Sequence, residues 1–214
     1  MSYAVWVAAA VTAVLFASDW WAVWHRRADV ERLTKPAAMV ALLSVALLAG
    51  ATDSSAGRWL VLALGLGLVG DVLLLEDTPN RFVGGLAAFL VGHLAYVASF
   101  VAVGLDSPVL GWLGAAVLVL ALVVGRRILP GALAQGGPRL AVPVAVYMAV
   151  IGAMAVLGWA TGRPLVGLGA TLFVVSDTAL AMGRFVQDRR WTQIVVMVTY
   201  HLAQALIVAG LLLT

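Results

Sequence analysis

Leu64-Gly65-Leu66-Gly67-Leu68-Val69-Gly70-Asp71-Val72-Leu73-Leu74-Leu75 places one carboxylate, Asp71, inside an otherwise apolar run. An ionisable group at membrane depth is costly, so it faces a bundle interior or a wet cavity and marks a functional site by default. The pattern returns at Leu172-Phe173-Val174-Val175-Ser176-Asp177-Thr178-Ala179-Leu180-Ala181, where Asp177 is again the only charge. The rest of the chain reads as a scaffold for these two acids.

Working outward, 64% of the residues are hydrophobic and 11% charged, and the mean hydropathy is +1.07. That excludes a soluble domain. Several apolar runs approach or exceed the ~20 residues that cross a bilayer as helix. The expected fold is all-α: a polytopic membrane helix bundle of eight transmembrane helices, forming one integral membrane domain over residues 1–214. The spans fall at about 3–24, 37–50, 59–75, 82–103, 109–124, 140–159, 165–182 and 191–213. The first run has neither a basic leader nor a small-residue cleavage site, so it reads as a span and not a secretory signal. Asp19 lies toward its end beside Trp20 and Trp21 and is expected in an interfacial or packing role. Arg26 to Lys35 reads as a basic loop, Pro36 as the first-turn proline of span two, and Arg126-Arg127 as the close of span five. Cysteine is absent, which excludes disulfides, thiolate metal sites and cysteine nucleophiles.

Short cytoplasmic loops collect lysine and arginine. With these spans, eleven of the thirteen basic residues fall on one side: Arg26, Arg27, Arg32, Lys35, Arg81, Arg126, Arg127, Arg139, Arg184, Arg189 and Arg190. Only Arg58 and Arg163 fall on the other. Both termini are therefore expected to be non-cytoplasmic. A single lysine beside many arginines, alanines and valines points to a GC-rich bacterial genome, and so to a bacterial cytoplasmic membrane.

An internal repeat links spans three and four to spans seven and eight. Gly70-Asp71 matches Ser176-Asp177, Arg81-Phe82-Val83 matches Arg184-Phe185-Val186, and His93-Leu94-Ala95 matches His201-Leu202-Ala203. The arrangement is four plus four in the same orientation. Asp71 is thirteen residues beyond Arg58 and Asp177 fourteen beyond Arg163. At about 1.5 Å per residue the two acids are expected at nearly equal depth. Gly67 and Gly70 leave room beside Asp71 for a neighbouring helix or an acyl chain.

His93 shares a helix face with Tyr96, and His201 with Gln204. Three readings of the histidines stay open: hydrogen bonds that hold the bundle, orientation of the acids, and metal ligation. Neither His-x-x-x-His nor His-Glu-x-x-His occurs, so no metal and no cofactor is assigned. For the aspartates, burial and mutual repulsion let one acid hold a proton near neutral pH while the other stays ionised. That is the pattern by which two carboxylates divide acid and base work. Arg184, seven residues beyond Asp177 and roughly on its face, is placed to keep one of them charged.

Together Gly70-Asp71, Gly92-His93-Leu94-Ala95-Tyr96, Ser176-Asp177 with Arg184-Phe185, and Tyr200-His201-Leu202-Ala203-Gln204 resemble the YhhN-type lysoplasmalogenase family, as does Lys35-Pro36. The resemblance covers nearly the whole chain. It implies hydrolysis of the vinyl-ether bond of an alkenyl lysophospholipid to a fatty aldehyde and a glycerophospho-headgroup, with Asp71 and Asp177 as the paired catalytic acids. The chemistry suits them. A vinyl ether resists base but opens when its β carbon is protonated, so one proton donor and one anionic group are needed, as around glycosidic oxocarbenium ions. His93, Tyr96, Ser176, Tyr200, His201, Gln204 and Arg184 are expected to orient the acids or the water, and Lys35 to hold a lipid phosphate or to set topology. The expected partners are the lysophospholipid and the bilayer, and nothing points to nucleic acid. A small proton-coupled carrier or a metal-dependent lipid hydrolase would also use two membrane acids. The missing Gly-x-Ser-x-Gly elbow argues against a serine lipase.

Overall fold

The computed structural model describes every residue except Met1, Asp77, Asp188, Arg190 and Thr214. Arg190, counted above with the cytoplasmic cations, and Asp77, in the turn after span three, thus lie outside the described residues. The described residues form eight α-helices and two single-turn 3-10 segments, with no strand: α1 Tyr3–Trp24, α2 Ala28–Leu48, α3 Ser55–Leu74, α4 Pro79–Val103, α5 Gly111–Gly136, α6 Pro138–Ala160, α7 Pro164–Phe185 and α8 Thr192–Leu212.

Local chemistry explains where the helices begin. Ser54 accepts from the Gly57 N–H at 2.9 Å and caps α3. Pro79, Pro138 and Pro164 stand at the starts of α4, α6 and α7, where a missing N–H has no intrahelical partner to lose. Gly50 and Gly137, with φ of +81° and +59°, turn the chain through a region that side chains disfavour.

Seven of the helices are long and apolar enough to cross a membrane, so this is an integral membrane protein. The exception is α2, in which any 18-residue window includes at least Glu31, Arg32 and Lys35. Trp6, Trp24, Trp112 and Trp191 are exposed near helix ends, as an interfacial aromatic belt requires.

Two expected boundaries are corrected. α2 starts at Ala28 and not near residue 37, so most of the supposed basic loop is helix, Lys35 is a helical residue, and Pro36 stands inside the helix. Span five does not close at Arg126-Arg127, because α5 continues through Pro130 to Gly136. In both places the charges sit on helix; Arg126 and Arg127 are exposed there, whereas Lys35 is buried.

The chain divides into two compact units, Met1–Gly104 with Val208–Thr214, and Leu105–Ile207. In the first, α1 packs on α2, α2 on α3, and α3 on α4. A Cβ added at Gly70 would meet the Phe89 ring at 2.5 Å, so glycine admits α4 beside Asp71. In the second, α5 packs on α6 and α7, and α6 on α7. A Cβ at Gly114 of α5 would meet the α6 backbone at Ala155 and Val156 within 2.6 Å. Small residues thus set the helix separation, as expected where lipid removes most of the hydrophobic drive between helices.

Gly114→Val should force α5 away from α6 and cost ~1–3 kcal/mol, by analogy with overpacked cores. Gly65→Ala, which meets nothing within 4 Å, should be neutral or slightly stabilising. Thermal unfolding of the two variants in detergent checks the contrast.

Candidate active site

Asp71 lies in the last turn of α3, where the unsatisfied carbonyls of a helix end carry partial negative charge. The position is unfavourable for an anion unless a cation answers it. Lys35 of α2 does so, with its Nζ 3.4 Å from Asp71 Oδ1. Both residues are buried, at 8% and 1% exposure. Solvent therefore screens the pair little, and loss of either partner strands a buried charge. The exposed pair at the start of α2 differs. There Arg27 hydrogen-bonds Asp29 at 2.7 and 3.0 Å and holds that carboxyl down to about 2.

Asp19 of α1 is fully buried, at 0% exposure. It does not sit in the exposed interfacial setting that its tryptophan neighbours suggested, although a packing role was the other half of that expectation. The Thr34 hydroxyl donates to its Oδ1 at 2.7 Å, with the Val30 carbonyl at 3.1 Å from the same hydroxyl. Thr34 immediately precedes Lys35, so one turn of α2 binds one acid through a hydroxyl and another through an ammonium. His93 and Tyr96, on one face of α4, are both buried, and His93 interacts with the backbone of Phe89 one turn earlier.

In the second unit the phenol of Tyr147, on α6, donates to Asp177 Oδ2 on α7. Asp177 is half-buried. Its neighbour Ser176 is buried and donates to the Val196 carbonyl of α8 at 3.0 Å, which binds the helix that carries Tyr200, His201 and Gln204. All three are buried, and Tyr200 stacks edge-on against Phe173 at 5.6 Å between ring centroids. The Arg184 carbonyl accepts from Gln135 at 3.1 Å. Among the described residues, no three His, Asp or Glu side chains gather as a metal site would need.

The sequence pattern singles out Lys35 and Asp71 separately, and the structure brings them together. It does not reveal Thr34 or Tyr147. Tyr147 carries a signal, being the one phenol in an apolar helix, but Thr34 carries none, because its partner lies fifteen residues away on another helix.

The YhhN family model matches residues 30–211. The chain is 37% identical to the Homo sapiens protein named Lysoplasmalogenase TMEM86B over 182 residues, covering 83% of this chain and 76% of that one. It is 30% identical to the Lysoplasmalogenase of Mycobacterium tuberculosis (strain CDC 1551 / Oshkosh) over 179 residues, 81% of this chain and 69% of that one. With the Sus scrofa Lysoplasmalogenase TMEM86B it shares 34% identity over 170 residues, 78% of this chain and 70% of that one. No solved structure matches.

Lys35→Met should destabilise the fold by ~3–5 kcal/mol, the cost of stranding a buried partner. Adding Asp71→Asn should recover much of that loss. Tyr147→Phe should cost ~1–3 kcal/mol. Unfolding of the three variants in detergent reads these differences.

Proposed function

Because the chain belongs to the YhhN family, we propose that it hydrolyses the vinyl-ether bond of an alkenyl lysophospholipid, releasing a fatty aldehyde and the glycerophospho-headgroup. The observation that carries this reading is the buried Lys35–Asp71 pair. An ammonium beside a carboxylate favours the anion, which supports Asp71 as the base and cation stabiliser and leaves Asp177 as the proton donor.

The cycle then balances. Asp177 protonates the carbon β to the ether oxygen, giving an oxocarbenium ion that the Asp71 carboxylate stabilises. Water adds to the carbon bonded to oxygen as Asp71 takes one of its protons, and a hemiacetal forms. Asp71 next returns that proton to the departing glycerol oxygen while Asp177 takes the hemiacetal proton. The carbon–oxygen bond breaks, aldehyde leaves, and both acids regain their starting states with one water consumed. General acid–base work of this kind needs one protonated and one ionised group, so the rate should fall at both ends of the pH range.

Lys35, named above for a lipid phosphate, is engaged with Asp71, and we assign its ammonium to that carboxylate. Tyr147 orients Asp177. We assign His93, Tyr96, Tyr200, His201 and Gln204 to shaping the surroundings of the acids, and the basic helix ends to meeting the phosphate. We further propose one functional domain built by duplication of a four-helix unit, in a bacterial cytoplasmic membrane with both termini non-cytoplasmic. The division of the chain at Gly104 and Leu105 supports the duplication.

The purified protein should release aldehyde from an alkenyl lysophospholipid. Asp71→Asn and Asp177→Asn should each lower kcat by about 10²–10⁴-fold while remaining folded. A well-folded wild type that releases no aldehyde across headgroups and pH would overturn the substrate, and movement of an intact substrate across vesicles would then favour a carrier.

A further inference from the structure

A buried charge needs a partner at every stage of a reaction, not only at rest. In the cycle above Asp71 takes a proton from water and is neutral until it returns that proton to the leaving oxygen. During that interval Lys35, only 8% exposed, has lost the charge 3.4 Å from its Nζ. An ammonium stranded in this way would oppose the proton transfer itself.

We infer that Asp19 is a positioning residue of the same site, supplying the counter-charge for Lys35 while Asp71 holds a proton; this rests on the reading of Asp71 as the base. Three observations carry the inference. Asp19 is 0% exposed, although it falls on the first helix, outside the segment that the family model matches. Its Oδ1 is fixed by Thr34, the residue before Lys35, so the carboxyl is tied to the turn that carries the ammonium. Its Oδ2 is buried with no hydrogen-bond partner among the described residues, which leaves an acceptor already desolvated. The charges that act on Asp19 are those of Glu31 and Lys35 on α2 and Asp71 on α3. Of the two other acids in this group, Glu31 is partly exposed at the surface end of α2 and Asp71 is the group being neutralised. Asp19 is thus the buried anion left to Lys35. An acid this deep in a helix bundle is costly, and Thr34 alone satisfies only half of it. A role confined to docking α1 on α2 would be served by a neutral amide.

Aldehyde release and thermal unfolding are measured in detergent for wild type, Asp19→Asn, Lys35→Met, the double variant, Thr34→Val and Asp71→Asn. Asparagine keeps the shape and the oxygen that accepts from Thr34 and removes only the charge. Asp19→Asn is expected to lower kcat by about 10–100-fold with KM within about 2-fold, the mark of an interaction made during the reaction. Its effect on melting temperature should shrink or change sign in the Lys35→Met background, because coupled charges are non-additive. Thr34→Val should lower the melting temperature and, by releasing the Asp19 carboxyl, lower kcat by no more than Asp19→Asn does. The inference is overturned if Asp19→Asn turns over like wild type or if its melting shift is the same in both backgrounds. Should Asp19→Asn not fold, Asp19→Glu is read instead: retained kcat supports a need for charge, and a loss above about 10-fold contradicts it. Asp71→Asn that still releases aldehyde would sink the acid–base reading itself, and a surviving melting coupling would then mark the Asp19–Lys35 interaction as structural.

Discussion

The first unit joins α2 to α3 through a buried pair, with Lys35 Nζ 3.4 Å from Asp71 Oδ1 where water is scarce. Asp71 stands at the wrong end of its helix for an anion, next to Gly70, where the ring of Phe89 packs close. Lys35 makes the position tenable. Replacing a buried ion pair by a hydrophobic pair of the same volume is often neutral or stabilising, so stability alone is a weak explanation of this pair, and the proposed chemistry gives it another.

The same constraint accounts for the shape of α2. Lys35 meets Asp71 from a turn of α2 ahead of Pro36, and α2 begins seven residues before Lys35. Thr34, one step earlier on that helix, binds Asp19 of α1. Three consecutive helices therefore meet through side chains of a single turn. This is also why α2 alone among the eight lacks the composition of a span: its charges serve its neighbours as much as the surface. In the second unit Asp177 has a different partner, the Tyr147 phenol. A neutral donor and a cation bias two carboxylates differently, as the proposed two-acid hydrolysis requires.

Much of this is legible in the sequence. Long apolar runs yield eight helices, and single charges within them expose Asp71 and Asp177, because the bilayer makes such residues rare. The glycine beside Asp71 reads as room for a close neighbour, and α4 fills it through Phe89. What fails is the treatment of charge at helix ends. Arg32, Lys35, Arg126 and Arg127 read as loop or terminus, yet each lies on helix: the exposed arginines can reach water on long stems, and Lys35 is buried against Asp71. The pairings are out of reach for another reason. Lys35 and Asp71, Asp19 and Thr34, and Tyr147 and Asp177 are each joined across helices, and no local periodicity encodes which turn faces which. The tryptophans beside Asp19 point to the interface, whereas helix packing buries that residue completely.

The most direct test is the charge state of Asp71 in the resting protein, read by infrared difference spectroscopy of wild type against Asp71→Asn in lipid near neutral pH. If Lys35 keeps Asp71 ionised, the substitution removes carboxylate stretching bands and no protonated carboxyl band. Loss of a protonated carboxyl band would show instead that Asp71 rests as the acid, which contradicts Lys35 as the cation that holds it charged.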